Sequence, residues 1–359
     1  MLIPAKPLFR PGVLFSSGSF DMGAARAKRK AWFTRRGRDA ILHGISMLGL
    51  EKGDQVLAPG YICGSALSPF AARGIETVFY DLTPGLNADL ADIESKVTKK
   101  TRALFVVHYF GFPQDMAAIT GFCASRGLKL IEDCAHAFMG MAREEPVGSF
   151  GDIAVFSLRK SLPVSYGGVL LACSKGEFTE KERLSESVSG LLRMIAEAAV
   201  FKAGFPNPYR IKDSRERAEK TEHEAFCEEA GRAPSYLTSK TAASFKGLAH
   251  RRRRNFLRYN DALGSRALSG PGPLFPELAE GVVPMAYPLW TQRAKETARA
   301  LRNTGIGAYM WPGAEMPELG TARCDQSVDL AGKIVLLPLH QDIEERHIEH
   351  VVDSLRRFS

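Results

Sequence analysis

No apolar run in the chain approaches the roughly 18 residues that cross a bilayer, so stable membrane insertion is not expected. The first residues, MLIPAKPLFRPG, lack the charged-then-apolar order of a secretory leader, and a cytoplasmic location is expected. Cysteine is sparse and scattered: six residues (63, 123, 134, 173, 227 and 324) with no CxxC pair, which argues against a disulfide framework or a zinc site. There is no internal repeat and no low-complexity tract. Nor is there a zinc knuckle, an aromatic-basic RNA motif or a helix-turn-helix signature, so a nucleic-acid partner is not expected. The formal charge of +8 still favours something anionic, and a phosphorylated small molecule satisfies that sign.

The composition, 45% apolar and 25% charged, is that of an ordinary globular protein. A chain of 359 residues can fill one large core and a smaller one. Residues 1–23 are rich in Pro, Gly and Ser and read as an arm. A helix is expected over Gly37–Leu50, with Ile41, Ile45 and Leu48 at helical spacing. Strand and helix signals then alternate: strands at Gln55–Pro59, Glu76–Asp81, Ala103–Phe110 and Leu128–Asp133, with helices at Gly64–Arg73, Asp89–Ser95 and Met116–Arg126. Ile153–Leu158 and Val169–Cys173 add two strands. This rhythm predicts an α/β fold, a mainly parallel sheet covered by helices on both faces.

Further on, 187–205 reads as a helix with an apolar stripe, padding the domain or lying on a membrane surface. The run RRRR (251–254) reads as the solvated face of a helix whose Phe245, Leu248, Phe256 and Leu257 turn to a core. Strands over 285–290 and 333–340, with helices over 296–309 and 347–358, predict a smaller C-terminal α+β domain. The expected division is an arm at 1–30, a large domain at 31–236 with a helical insertion near 176–235, and a small domain at 237–359.

The chemistry concentrates between Leu130 and Gly168, LIEDCAHAFMGMAREEPVGSFGDIAVFSLRKSLPVSYGG. An apolar run ends in Glu132 and Asp133. A second ends just before Lys160 and the pair Gly167, Gly168. Two neighbouring strands ending in an acid and a lysine bring both side chains to the carboxyl edge of one sheet, where open α/β folds bind ligands. That pairing suits pyridoxal phosphate. The lysine links to the cofactor aldehyde, and the acid keeps the pyridine nitrogen protonated so that the ring accepts electrons. Strand alternation turns Glu132 the other way.

With GDQVLAP (53–59), GIETVFYD (74–81), VHYFGFPQDM (107–116), IEDCAHA (131–137), VGSFGDIAVFS (147–157), Lys160 with its glycine pair, and LPLHQDIEERHIEHVVDSL (337–355), the chain resembles the sugar-nucleotide aminotransferases of the DegT/StrS type, within the fold type I pyridoxal phosphate enzymes. The segments follow the family's order along most of the chain.

The resemblance implies pyridoxal 5'-phosphate as cofactor, a keto-sugar as substrate, glutamate or glutamine as amino donor, and a homodimer. It implies Lys160 and Asp133 as catalytic and cofactor-holding, with His136 at the ring oxygen or the ring face and Ser157 at the phosphate. GRDA, with Gly37, Arg38 and Asp39, stands where the family has a Gly-Thr-x-Ala phosphate cup; an ordinary helix start is the other reading. The family's stacking aromatic falls on Cys63, with Tyr61 as a substitute, and His108 and Tyr109 are further pocket candidates. Tyr166 stands where a glutamate is usual, and the loop from Ser157 to Lys160 is two residues short. APSYLTS (233–239) stands where the family's Asn-Tyr-Arg segment reaches a neighbouring subunit. The family's dehydratases carry histidine at the lysine position, so Lys160 favours transamination. Another pyridoxal phosphate reaction, a dehydratase or lyase, and a non-catalytic cofactor-binding regulator are the alternatives.

Overall fold

The computed structural model describes residues 1–9, 29–164, 167–172, 188–204, 230–231, 247–264, 271–313, 316–318 and 324–358. Along the chain run β1 (Lys30–Thr34), α1 (Gly37–Met47), β2 (Gln55–Pro59), α2 (Gly64–Ala72), β3 (Glu76–Tyr80), α3 (Leu90–Lys96) and β4 (Thr101–Val107). There follow α4 (Met116–Arg126), β5 (Lys129–Asp133), β6 (Met141–Ala142), β7 (Glu145–Pro146), β8 (Ile153–Ser157), β9 (Gly168–Ala172), α5 (Val188–Ala203) and β10 (Ala230–Gly231). The rest comprises α6 (Leu248–Leu263), β11 (Gly272–Pro273), β12 (Tyr287–Trp290), α7 (Ala294–Asn303), α8 (Asp325–Lys333), β13 (Ile334–Leu337) and α9 (Glu345–Phe358).

The main sheet has eight strands in the order β10-β1-β9-β8-β5-β4-β2-β3. From β3 to β8 every pairing is parallel, and β9, β1 and β10 add antiparallel partners on one side. Strands covered on both faces read as continuous apolar runs. TRALFVV of β4 is such a run, buried at every position except Arg102. After β2 the chain moves to β3 on one side and then returns to β4 on the other. That reversal leaves a crevice at the carboxyl ends of β2 and β4.

A second sheet, β11-β12-β13, is antiparallel. It shares a core with α6, α7 and α9 through Phe256, Tyr259, Tyr287, Leu301, Val351 and Leu355, and Ile3 joins that core from the other end of the chain. Asp81, just after β3, accepts from Ser327 N (2.8 Å), Ser327 Oγ (2.7 Å) and Gln326 N (3.0 Å) at the start of α8. Orphan helix-start amides are thus satisfied from across the molecule.

Three expectations are corrected here, and one strand is added to them. The strand expected over Ala103–Phe110 stops at Val107, because Phe110 turns into positive φ (54°) so that its carbonyl accepts from Met285 N (2.7 Å). Gly111 follows at φ 102°, and a Cβ there would meet the Val283 carbonyl at 2.3 Å, so only glycine fits. The helix expected over 296–309 ends at Asn303, and Ile306 instead bridges Ile3. The added strand is β1, which lies within the basic stretch 27–36 and pairs with β9. Finally, the arginine run is not simply a solvated face: Arg252 is 2% exposed, whereas Leu257, expected inside, is 47% exposed. Phe245, Tyr166, 233–239 and most of 176–235 lie outside the described residues.

Candidate active site

β5 and β8 are adjacent and parallel, with Asp133 in register with Val155. The chain turns after Ser157 so that Lys160 comes back over the carboxyl end of β5. The turn is drawn in by Leu158 N, which donates to Gly167 O (2.6 Å), and by Gly167 N, which donates to Arg35 O (3.1 Å). A Cβ on Gly168 would lie 2.1 Å from both Arg36 O and Thr34 Oγ1, so the second glycine of the pair is what lets β9 lie against the β1–α1 corner.

Lys160 Nζ lies 3.0 Å from His136 Nε2. The imidazole's Nδ1 accepts from the Phe110 amide (3.5 Å), which turns Nε2 toward the lysine. Phe110 stacks on one face of the ring (5.5 Å, 16°), and Trp311 meets it nearly edge-on (4.8 Å, 78°). Burial first, then the charges of Lys160 and Lys6, hold His136 well below the ordinary histidine pKa, so it is neutral beside the lysine.

Asp133 is buried and accepts from Ala135 N (2.8 Å). Burial raises its pKa, and Lys160, the Ala135 amide and His108 only partly oppose this. Such a carboxyl is short of a cation close by. Glu132 turns the other way, as strand alternation requires, and accepts from the amides of Gly148 (2.9 Å) and Phe150 (2.8 Å). Its burial alone would raise its pKa. The His108 hydrogen bond and charge, with the Gly151 and Gly148 amides, outweigh that and lower it.

His108 is thereby corrected as a pocket residue: Nε2 meets Glu132 at 3.2 Å while Nδ1 accepts from Gln114 N (3.1 Å). His108, Glu132 and Cys134 do place ligand-type atoms within 4.8 Å of one another. Both histidine nitrogens and both carboxylate oxygens are already spent holding the 148–151 loop and the 108–114 turn. Their arrangement is that of a structural knot.

At the start of α1, Arg38 and Asp39 are buried. The Asp39 carboxylate accepts from Arg36 N (3.0 Å), so its side chain serves the helix start. A Cβ on Gly37 would lie 3.9 Å from the Ser157 Cβ, which brings the α1 amides and Ser157 to one spot. Cys63 caps α2, with Sγ 3.0 Å from Ser65 Oγ. Tyr61, not Cys63, enters the aromatic cluster at the β2/β4 crevice: it stacks on Tyr109 (5.5 Å, 15°) and meets Trp311 edge-on (5.0 Å). The Tyr61 hydroxyl is fully buried with no hydrogen-bond partner among the described residues.

The cavity beside Lys160 and His136 is closed by residues that sequence reasoning missed: Lys6 from the chain's first residues, and Tyr309, Trp311 and His340 from beyond β12. They come from opposite ends of the chain, and no spacing signal joins them.

The donor set fits pyridoxal phosphate. Asp133 wants a cation, Lys160 has an amine beside a neutral imidazole, Gly37 and Ser157 meet at a helix start suited to phosphate, and the Tyr61 hydroxyl awaits a partner.

The DegT/DnrJ/EryC1/StrS aminotransferase family model matches residues 26–196. The dTDP-4-dehydro-2,3,6-trideoxy-D-glucose 4-aminotransferase of Saccharopolyspora spinosa is 28% identical over 336 residues, covering 90% of this chain and 83% of that protein. The UDP-N-acetyl-3-dehydro-alpha-D-glucosamine 3-aminotransferase of Acidithiobacillus ferrooxidans is 30% identical, over about half of each chain (51% and 53%). Among solved structures, Helicobacter pylori PseC, an aminotransferase of pseudoaminic acid biosynthesis, superposes with a TM-score of 0.71 over 99% of this chain and 98% of its own, at 15% identity. That last likeness speaks to fold alone.

Proposed function

The chain belongs to the DegT/DnrJ/EryC1/StrS family of pyridoxal phosphate-dependent sugar aminotransferases, and on that premise we propose that it transfers an amino group from glutamate or glutamine to a nucleotide-linked keto-sugar, in glycan or secondary-metabolite biosynthesis. The observation that carries this reading is the juxtaposition of Lys160, its neutral partner His136 and the buried Asp133 at the carboxyl ends of two adjacent parallel strands.

Asp133 would hold the pyridine nitrogen, Lys160 the aldehyde carbon, and the Gly37–Asp39 amides with Ser157 the phosphate. Arg38 would add a guanidinium there. His136 would meet the ring oxygen or the ring face, and Tyr61 would stand in for the stacking aromatic. The bound cofactor supplies an electron sink for the carbanion left when an α-proton is removed. Once the donor's amine has replaced Lys160 on the aldehyde carbon, the freed Lys160 Nζ would be the base that takes the α-proton and returns it one atom along. His136, held neutral by its burial, lies 3.0 Å from that amine and adds no positive charge of its own beside it.

Borohydride reduction after loading with pyridoxal phosphate, followed by peptide mapping, is expected to place a pyridoxyl group on Lys160. Label on another lysine, or none despite bound cofactor, would sink the reading.

A further inference from the structure

The helix α6 carries four consecutive arginines, and the second is swallowed by the protein: Arg252 is 2% exposed. A buried guanidinium is tolerated only where its N–H groups find acceptors. Here Nε donates to Gln341 Oε1 (3.3 Å). One terminal nitrogen donates to the carbonyls of Pro284 and Met285 (both 3.3 Å), the other to the carbonyl of Ser161 (3.1 Å) and to Gln341 Oε1 (3.1 Å). Burial lowers its pKa to about 10, opposed by the charges of Asp342 and Tyr309.

These acceptors are not scattered. Ser161 follows Lys160 directly. Met285 lines the cavity, and so does His340, which precedes Gln341. One planar fork therefore joins the turn that bears the reactive amine to two segments of the opposite wall. The turn's local bonds, Ser161 N and Leu162 N to Leu158 O, set its shape. They do not set its position relative to the Met285 and Gln341 segments.

We propose that Arg252 is a positioning residue for Lys160, holding the 158–164 turn against the Met285 and His340–Gln341 segments so that the amine meets its substrate at a fixed place. This deepens the function proposed above and rests on it for Lys160's role, but not for the mechanical link. An ammonium cannot reproduce the link, because its three donors lack the fork that reaches carbonyls on several segments at once.

The test compares wild type, Arg252→Lys and Gln341→Ala. In cofactor-free protein, amide exchange in a peptide spanning 158–164 should accelerate about tenfold in Arg252→Lys and less in Gln341→Ala. A peptide over β2 should stay unchanged. In loaded protein, kcat of the donor half-reaction should fall about tenfold or more with KM within about twofold, and the pH midpoint of the lysine–cofactor absorbance should move. Exchange of 158–164 at the wild-type rate in both variants overturns the proposal. So does acceleration equal in both peptides, which marks general loosening. Should Arg252→Lys fail to fold, Gln341→Ala decides by the same two peptides. If wild type forms no adduct at Lys160, the function falls while the exchange result still judges the link.

Discussion

Asp133 ends β5 with its carboxyl buried and a single main-chain amide to hold it. Its pKa in the folded chain lies above the ordinary carboxyl value, so the folded state binds more protons there than the unfolded one. The sign follows from linkage: this contribution is fully present below the unfolded pKa and is lost as pH rises through the raised folded value. Without cofactor, Asp133→Asn is therefore expected to be at least as heat-stable as wild type at neutral pH, with the difference closing as pH falls below the ordinary carboxylate range. With cofactor, the same variant should remove the α-proton from glutamate roughly a hundredfold more slowly, a loss of a few kcal/mol of transition-state stabilisation. Half-transamination at the wild-type rate would make Asp133 a structural carboxylate only. The acid and the lysine were legible because each follows an apolar run that could only be a buried strand. Arg252 was not. A block of four charges reads as a solvated face, although Arg252, Asn255, Phe256, Tyr259 and Leu263 share one buried helical stripe.

Strand β1 and the first nine residues show what pattern reading loses at the scale of elements. KAWFT has no turn signals around it and sits in a basic run, so only its register with β9, Lys30 opposite Ala172 through Thr34 opposite Gly168, makes it a strand. The strands β2 to β5 and β8, by contrast, announce themselves as apolar runs bounded by Gly, Pro and Asp. The first residues form a strap. Ile3 N donates to Gly305 O (2.9 Å), Gly307 N donates to Ile3 O (2.8 Å), and His340 Nε2 meets Pro4 O at 2.9 Å. Phe9 is buried at the other end, against the core that contains Phe156 and Leu158. Between these anchors Ala5, Lys6 and Pro7 line the cavity. Lys6 thereby adds a positive charge at the mouth of a site proposed to receive anionic substrates. Lys6→Glu should raise KM for the donor or the sugar nucleotide about tenfold or more, with the melting temperature and the Lys160 adduct unchanged. Unaltered KM for both substrates would show that the strap only packs.

At the scale of the whole molecule, α5 does not look like the outside of a finished surface. Leu192 is 60% exposed, Ile195 42% and Val200 36%, while Leu191 and Met194 pack on the core below. Large apolar side chains clustered on one exposed helix mark a surface that another body covers. A membrane surface is one such body. No helix among the described residues is long and apolar enough to cross a bilayer, and a basic amphipathic helix could still lie upon one. A second copy of the chain is the other, since closed two-fold pairs are the commonest soluble assembly. The family resemblance implies that pairing, and it is the outcome expected here. Sedimentation of the cofactor-loaded protein at micromolar concentration should give a dimer. Leu192→Glu with Ile195→Glu should shift it toward monomer at unchanged helix content, because two buried carboxylates facing their symmetry mates cost several kcal/mol across a two-fold axis. A wild-type monomer under those conditions would remove the dimer. Co-sedimentation of that monomer with anionic vesicles, lost in the double variant, would assign the same face to the membrane instead.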